Sequence, residues 1–249
     1  MKKIIGIFLI LILFSCKQHE DLPTAQAIVD SSIEVSGGER YDKSQISFDF
    51  RDRQYSSEPI GKQKILKRRI KNDTLDLLDV KSPIKFERYS NGSLVILPDS
   101  TANTLANAVN SVHYFAYLPY GLNDAAVNKE HLGKVTIKEE EYYKVMVTFD
   151  QEGGGDDFDD VYIYWFNARS YKPDYLAYEF HVNGGGQRFR EAFNERLVGG
   201  IRFVDYKNYK SNDLDVPIYK IDSLFEANEL ELLSEIRLEN IAVSQGNYN

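Results

Sequence analysis

The chain has 249 residues, a formal net charge of −8 and a single cysteine. This length is enough to bury a sizeable hydrophobic core, and one cysteine cannot form an internal disulfide. The acidic balance offers no electrostatic footprint for nucleic acid or for anionic lipid, so we expect no nucleic-acid partner.

The first sixteen residues are predicted to direct export. Lys2 and Lys3 precede an apolar run that has the length of a signal peptide and is too short to span a bilayer. Residues 13–16, Leu-Phe-Ser-Cys, resemble the lipobox of bacterial lipoproteins, although Phe14 is larger than the usual residue. The resemblance implies cleavage before Cys16 and its acylation, for example with palmitate. The alternatives are an uncleaved anchor and an ordinary secretory signal.

The predicted organisation is a signal peptide over residues 1–15, a lipidated tether over 16–23 and one half-barrel-like domain over 24–249. Removal of the signal peptide also removes two lysines, which leaves 28 basic and 38 acidic residues. We therefore expect membrane attachment through acyl chains on Cys16 and not through a basic surface. The predicted location is the cell envelope, at the periplasmic or surface face of the outer membrane.

Three segments have the signals of helices. Apolar residues recur at helical spacing after Thr24, which is a suitable N-cap, and the pattern ends at Gly37. A second helix is predicted around residues 105–116. A third is predicted to begin at Ser223, because Ser223 and Glu226 have the spacing of a capping box.

Most of the remaining chain alternates between apolar and polar residues, which is typical of strands. Asn91 and Gly92 tolerate the positive φ of a type I′ turn, and they predict a hairpin. The run over residues 161–166 is apolar or aromatic on both faces, so both faces are expected to be covered. Trp165 would lie on one face and Tyr162 on the other.

These elements predict an α+β fold in which a large curved antiparallel β-sheet, a half-barrel, packs on a few helices. A last strand over residues 236–243 would close the sheet. The order of elements resembles the half-barrel of the Lol-type lipoprotein carriers, whose curved sheet wraps around helices and holds acyl chains. The resemblance implies that the sheet and the helix over 105–116 enclose an apolar cavity.

Residues 153–166, 181–190 and 200–206 are similar to a flavobacterial, Bacteroidota family of lipoproteins of unknown function. The resemblance brings no established activity. Some members of that family carry an aldolase name. The sequence has no β/α alternation, so it does not support a barrel enzyme with a Schiff-base lysine.

Aromatic and basic residues are the candidates for ligand binding. Aromatic side chains either line a pocket or fill an ordinary sheet core. Three glycines followed by two arginines have the chemistry to hold an anion, and the alternative is a flexible hairpin whose arginines pair with nearby aspartates. The candidates are Tyr162, Tyr164, Trp165, His181, Arg188 and Arg190.

No catalytic motif, metal site or cofactor is predicted. Asp157 and Asp160 belong to a group of four aspartates that offers oxygen ligands, but this group lacks the spacing of an EF-hand loop. The alternative for these aspartates is a solvated loop. The histidines do not have the spacing of metal ligands.

The sequence thus predicts a membrane-anchored envelope lipoprotein that binds an apolar or amphiphilic ligand, such as a lipid, in the concave face of its sheet. One alternative is a structural or interaction lipoprotein with a filled core, whose protein partners the sequence does not name. The other is an envelope enzyme with a polar site drawn from Asp157, Asp160, His181, Arg188 and Arg190. The first hypothesis requires a deep apolar cavity, and the enzyme requires convergent polar side chains.

Overall fold

The computed structural model describes residues 22–61, 63–152, 158–181, 184–213 and 215–245. Cys16, the signal peptide and Asp157 lie outside the described residues. Among the helices of these ranges, none is both long and apolar enough to cross a bilayer.

The described residues form four α-helices and fourteen β-strands. The helices are α1 (Ala25–Ser36), α2 (Arg40–Lys43), α3 (Asp99–Ala116) and α4 (Ile221–Glu226). The strands of the first half are β1 (Ser44–Phe50), β2 (Arg53–Ile60), β3 (Gln63–Lys71), β4 (Asp76–Lys81), β5 (Phe86–Ser90) and β6 (Ser93–Val95). The others are β7 (Val127–Ile137), β8 (Glu140–Phe149), β9 (Val161–Asn167), β10 (Pro173–Phe180), β11 (Gly186–Val198), β12 (Ile201–Lys210), β13 (Glu231–Ile236) and β14 (Glu239–Gln245).

The strands divide into two antiparallel sheets of seven. The N-terminal sheet has the order β14-β1-β2-β3-β4-β5-β6, and the C-terminal sheet has the order β13-β12-β11-β10-β9-β8-β7. Nearly all neighbours in each sheet are also neighbours along the chain, as expected where short turns connect the strands. The predicted α+β class with antiparallel strands and few helices is confirmed, with two sheets in place of one.

The chain passes from one sheet to the other between β13 and β14, so the single last strand predicted over 236–243 is wrong. The backbone N–H of Leu238 donates to Asp205 Oδ1 at 3.0 Å. Arg196 donates to the same oxygen at 2.8 Å and to the Leu238 carbonyl at 3.1 Å. These bonds fix a bend that divides the predicted strand into two.

Local signals place α1 correctly. The Thr24 hydroxyl accepts a hydrogen bond from the Ala27 N–H at 3.2 Å, and the helix ends at Gly37, which has φ +142°. A Cβ atom at Gly37 would lie 3.1 Å from the Tyr41 ring and 3.2 Å from the Ile201 backbone. This glycine therefore allows a close approach that a larger residue would obstruct.

The capping box predicted at Ser223 is wrong. Helix α4 begins at Ile221, and Ser223 lies inside it. A 3₁₀ turn over Ile218–Lys220 leads directly into α4, and Lys220 at the N-cap position makes no side-chain capping bond. The turn before α4 therefore replaces the separate N-cap that the capping box requires.

Helices cover one face of each sheet. Helix α3 packs on β3, β4 and β5 of the N-terminal sheet. Ile28 and Val29 of α1 belong to a buried cluster with Val145 and Tyr164 of the C-terminal sheet. Helix α4 lies on the opposite face of the C-terminal sheet, which is therefore covered on both sides.

A cavity between helix α3 and the C-terminal sheet

A cavity of about 570 Å³ lies between α3 and the C-terminal sheet. Its volume is within the range of pockets that hold one small molecule, roughly 300–1,000 Å³. Aromatic side chains from three elements form much of its wall: Tyr114 and Phe115 of α3, Tyr162 and Tyr164 of β9, and Tyr178 and Phe180 of β10. The wall combines these aromatic rings with polar and charged side chains, so its surface is mixed.

The alternation of side chains along the strands places these residues on one face of the sheet. On β9, Tyr162 is paired with Tyr178 of β10, and Tyr164 is paired with Leu176. The rings of Tyr162 and Tyr178 stack with their centroids 5.4 Å apart. Cross-strand aromatic pairs of this kind stabilise a sheet, so the wall is built from ordinary sheet packing.

The cavity has a buried apolar part and an exposed polar rim. Leu118, Leu176 and Ile236 line it and are almost fully buried. Asn110 and Ser111 of α3 also line it and are exposed. This arrangement suits a ligand with an apolar part inside and a polar part nearer the solvent.

Arg190 projects from β11 into the aromatic wall. Its guanidinium carbon lies 5.2 Å from the centroid of the Tyr178 ring and 5.6 Å from that of Phe115. The guanidinium also donates to the Tyr178 hydroxyl at 3.2 Å. The buried Nε of Arg190 has no hydrogen-bond partner among the described residues.

Arg188, two residues earlier on β11, also lines the cavity. Its guanidinium carbon lies 4.9 Å from the centroid of the Phe180 ring, and Nη1 donates to the Gln187 carbonyl at 2.9 Å. In the part of the chain that the structure describes, no carboxylate forms an ion pair with Arg188 or Arg190.

Two tyrosine hydroxyls add polar atoms to the buried wall. The hydroxyls of Tyr114 and Tyr164 are buried and lie close enough to interact with each other. Burial, and next the neighbouring Tyr114, raise the pKa of Tyr164 well above its usual value. Both hydroxyls are therefore neutral donors under ordinary conditions.

The carboxylates of Asp124 and Asp160 also line the cavity. Asp160 is buried at the start of β9. Its charge raises the pKa of Tyr162, after the larger effect of burial, and the charge of Arg190 lowers it. Charges of both signs therefore act on this wall.

The structure brings four of the six sequence candidates together. Tyr162, Tyr164, Arg188 and Arg190 line the cavity. His181 is exposed and is not part of the cavity wall.

Trp165 lies on the opposite face of β9 and has no exposed surface. Its Nε1–H donates to Asp222 at 3.2 Å, and its ring lies 5.4 Å from that of Phe189. Asp222 also forms an ion pair with Lys144 at 2.6 Å. Trp165 therefore belongs to the packing that holds α4 on the sheet.

Sequence reasoning did not single out Tyr114, Phe115 or Arg51 as wall residues. Tyr114 and Phe115 lie within the predicted helix, next to the positions that its apolar spacing marks. Arg51 follows β1 with φ +56°, and its guanidinium carbon lies 5.0 Å from the Phe50 ring. Only the packing of α3 against two sheets brings these residues to one cavity.

Residues 2–239 match DUF6503, a family of unknown function. The chain belongs to this family. The predicted membership of a family without an assigned activity is therefore confirmed, and the flavobacterial source remains a prediction. Comparison with curated proteins finds no match to this chain.

Three solved structures of bacterial proteins are similar to this chain over most of its length. A DUF1329 family protein from Desulfovibrio piger is 9% identical, has a TM-score of 0.54, and aligns over 89% of this chain and 94% of its own. A LolA superfamily protein from Nitrosomonas europaea is 12% identical, with a TM-score of 0.41 over 90% of this chain and 92% of its own. The outer membrane lipoprotein-sorting protein domain from Vibrio parahaemolyticus is 6% identical, with a TM-score of 0.33 over 88% and 94%. The first of these shares the fold of this chain.

Proposed function

We propose that this protein is an envelope lipoprotein that binds an apolar or amphiphilic ligand between α3 and the C-terminal sheet. The observation that carries the proposal is the cavity of about 570 Å³ with its buried apolar end. The tether over residues 16–23 would hold the domain near the membrane through acyl chains on Cys16.

The energetics favour an acyl chain as the apolar part of the ligand. Transfer of each CH₂ group from water gains about 0.8 kcal/mol. A short chain in the buried part of the cavity therefore provides enough free energy to exceed the cost of association. The aromatic rings and the buried residues Leu118 and Leu176 supply apolar surface for such a chain.

The enzyme alternative has less support from the positions of its candidate residues. Asp160, Arg188 and Arg190 line the cavity, but His181 is exposed and is not part of the wall. A general acid or base must come within hydrogen-bonding reach of the reacting group. His181 does not meet this condition for a ligand in the cavity.

The test is extraction and mass spectrometry of the Cys16→Ser protein purified from its native envelope. Serine at this position removes the acylated thiol, so any lipid recovered is bound and not attached. Two neighbouring alanines provide a matched pair: Ala126 lines the cavity, whereas Ala125 is exposed and does not. We expect Ala126→Trp to reduce the amount of recovered lipid and Ala125→Trp to leave it unchanged. Recovery of no lipid from the Cys16→Ser protein, or equal recovery from both tryptophan variants, would refute the proposal.

A further inference from the structure

The charges in the cavity define the ligand class more narrowly than its shape does. Arg51, Arg188 and Arg190 line the cavity, against two carboxylates from Asp124 and Asp160. Among the described residues, the arginines of the wall therefore outnumber its carboxylates, in a protein whose total charge is −8. This difference in the sign of the charge is an observation independent of the apolar surface on which the proposed function rests.

Arg190 differs from Arg68 and Arg202, the two arginines that are almost fully buried. Arg68 is paired with Asp79 at 2.6 Å, and Arg202 is paired with Asp174 at 3.1 Å and with Glu195 at 2.7 Å. For Arg190 the described residues provide two aromatic rings and one hydroxyl, and no ion pair. A guanidinium in partly dehydrated surroundings is stabilised most by an acidic group that accepts two of its hydrogen bonds.

One hydrogen-bond donor of Arg190 also lacks a partner. Its Nε is buried and has no hydrogen-bond partner among the described residues. Buried polar atoms are nearly always paired, so this donor marks a position for an acceptor. The buried apolar residues Leu118 and Leu176 line the same cavity.

Building on the proposed function, we propose that the ligand is a single-chain anionic amphiphile. Its acidic group is bound by Arg190 within the cavity, and its chain lies along the aromatic face of the C-terminal sheet. The volume of about 570 Å³ is that of a pocket for one small molecule, which favours one chain over several. A carboxylate and a phosphate monoester share the required chemistry, and the experiment separates them.

The experiment measures binding of four probes with the same twelve-carbon chain to the full chain carrying Cys16→Ser. The probes are dodecanoate, dodecyl phosphate, 1-dodecanol and dodecyltrimethylammonium, each below its micellar concentration in a calorimeter. We expect dodecanoate or dodecyl phosphate to bind at least tenfold more tightly than 1-dodecanol, and the cationic probe to bind most weakly. The stronger of the two anionic probes identifies the acidic group.

Three arginine variants assign the effect to one residue. Arg190→Gln should remove the tenfold preference for the anion and retain binding of 1-dodecanol, whereas Arg190→Lys should keep part of the preference. Arg169→Gln, at an exposed position outside the cavity, should change nothing. A thermal melt of each variant confirms that it is folded.

The outcomes separate this inference from the proposed function. Equal binding of all four probes, preference for the cationic probe, or a preference that Arg190→Gln does not reduce would overturn the anionic assignment and leave a cavity for an uncharged or cationic ligand. Binding of none of the probes would refute the cavity as a ligand site. Binding of an anionic probe with loss of the preference in Arg190→Gln alone supports the inference.

Discussion

His113 is a buried residue whose hydrogen bonds define its protonation state. Its Nε2 lies 3.1 Å from the Lys67 carbonyl oxygen, and its Nδ1 lies 3.1 Å from the Tyr117 hydroxyl. Because a carbonyl only accepts, Nε2 carries the proton and Nδ1 accepts from Tyr117. Burial lowers the pKa of His113 to about 4, and the charges of Lys64 and Lys81 act in the same direction.

This lowered pKa makes the contribution of His113 to stability depend on pH. The unfolded chain takes up a proton near the ordinary pKa of 6.5, whereas the folded chain does so only near 4. We therefore expect stability to fall as the pH drops from about 6.5 to about 4, by up to about 3 kcal/mol from this residue.

The measurement is the free energy of unfolding in urea at several pH values, for the wild type and for His113→Gln. The variant lacks the imidazole, so its stability should decrease less over this pH range. Carboxylates titrate equally in both proteins and cancel in the difference. Parallel pH profiles of the two proteins would contradict a buried neutral His113.

Trp165 is a buried residue whose side chain makes much of the packing between β9 and α4. It is fully buried, and it contacts Phe189 and donates to Asp222 beneath α4. Truncation of a large buried aromatic side chain leaves a cavity and removes its contacts. Trp165→Ala should lower the free energy of unfolding by about 3–5 kcal/mol.

Urea unfolding followed by circular dichroism measures this loss, because the variant has no tryptophan for fluorescence. Ile84→Ala is the control, since Ile84 is 88% exposed and its truncation should change stability by less than about 0.5 kcal/mol. An unchanged midpoint in Trp165→Ala would mean that this face of β9 is open to solvent.

At the scale of elements, a comparison of two glycines distinguishes the effect of backbone strain from the effect of steric crowding. Gly92 has φ +82° in the β5–β6 turn, and a Cβ there would meet nothing within 4 Å. Gly37 also has positive φ, but a Cβ there would press against the Tyr41 ring and the Ile201 backbone. Gly92 requires only a backbone conformation with positive φ. Gly37 also requires that no side chain occupy the space beside Tyr41 and Ile201.

We expect Gly92→Ala to destabilise the protein by about 1–2 kcal/mol, the cost of a left-handed conformation for a residue with a side chain. Gly37→Ala should cost more, because α1 must also move away from Tyr41 and β12. Thermal melts of the two variants provide the comparison. An equal loss in both would show that the contacts around Gly37 adjust freely.

The elements that the sequence predicts correctly are those with local causes. Thr24, Gly37 and the Asn91-Gly92 turn act within a few residues of chain, and the structure confirms all three. The break between β13 and β14 has a distant cause, because Asp205 lies on β12. Burial would raise the pKa of Asp205, but hydrogen bonds from Arg196, Leu238 and Asn194 keep it below its usual value.

At the scale of the whole molecule, the apolar residues on both faces of β9 predict that both faces are covered. They do not predict which elements cover them. Helix α4 covers one face, and the cavity lies on the other. The aromatic wall is predictable because Tyr162 and Tyr164 alternate along one strand. The position of Arg190 beside Phe115 is not, because α3 and β11 are far apart in the chain and meet only through the packing of α3.

We propose that the whole protein is attached to the membrane through Cys16. The segment over residues 1–16 resembles a lipoprotein signal, so acyl chains on Cys16 would supply the anchor. We expect wild-type protein from its native envelope to incorporate labelled palmitate and to sediment with membranes. Cys16→Ser should incorporate no label and should appear in the soluble fraction, with an unchanged thermal midpoint because the substitution precedes the folded domain. Equal labelling of both proteins, or sedimentation of Cys16→Ser with the membranes, would mean that another part of the chain provides the anchor.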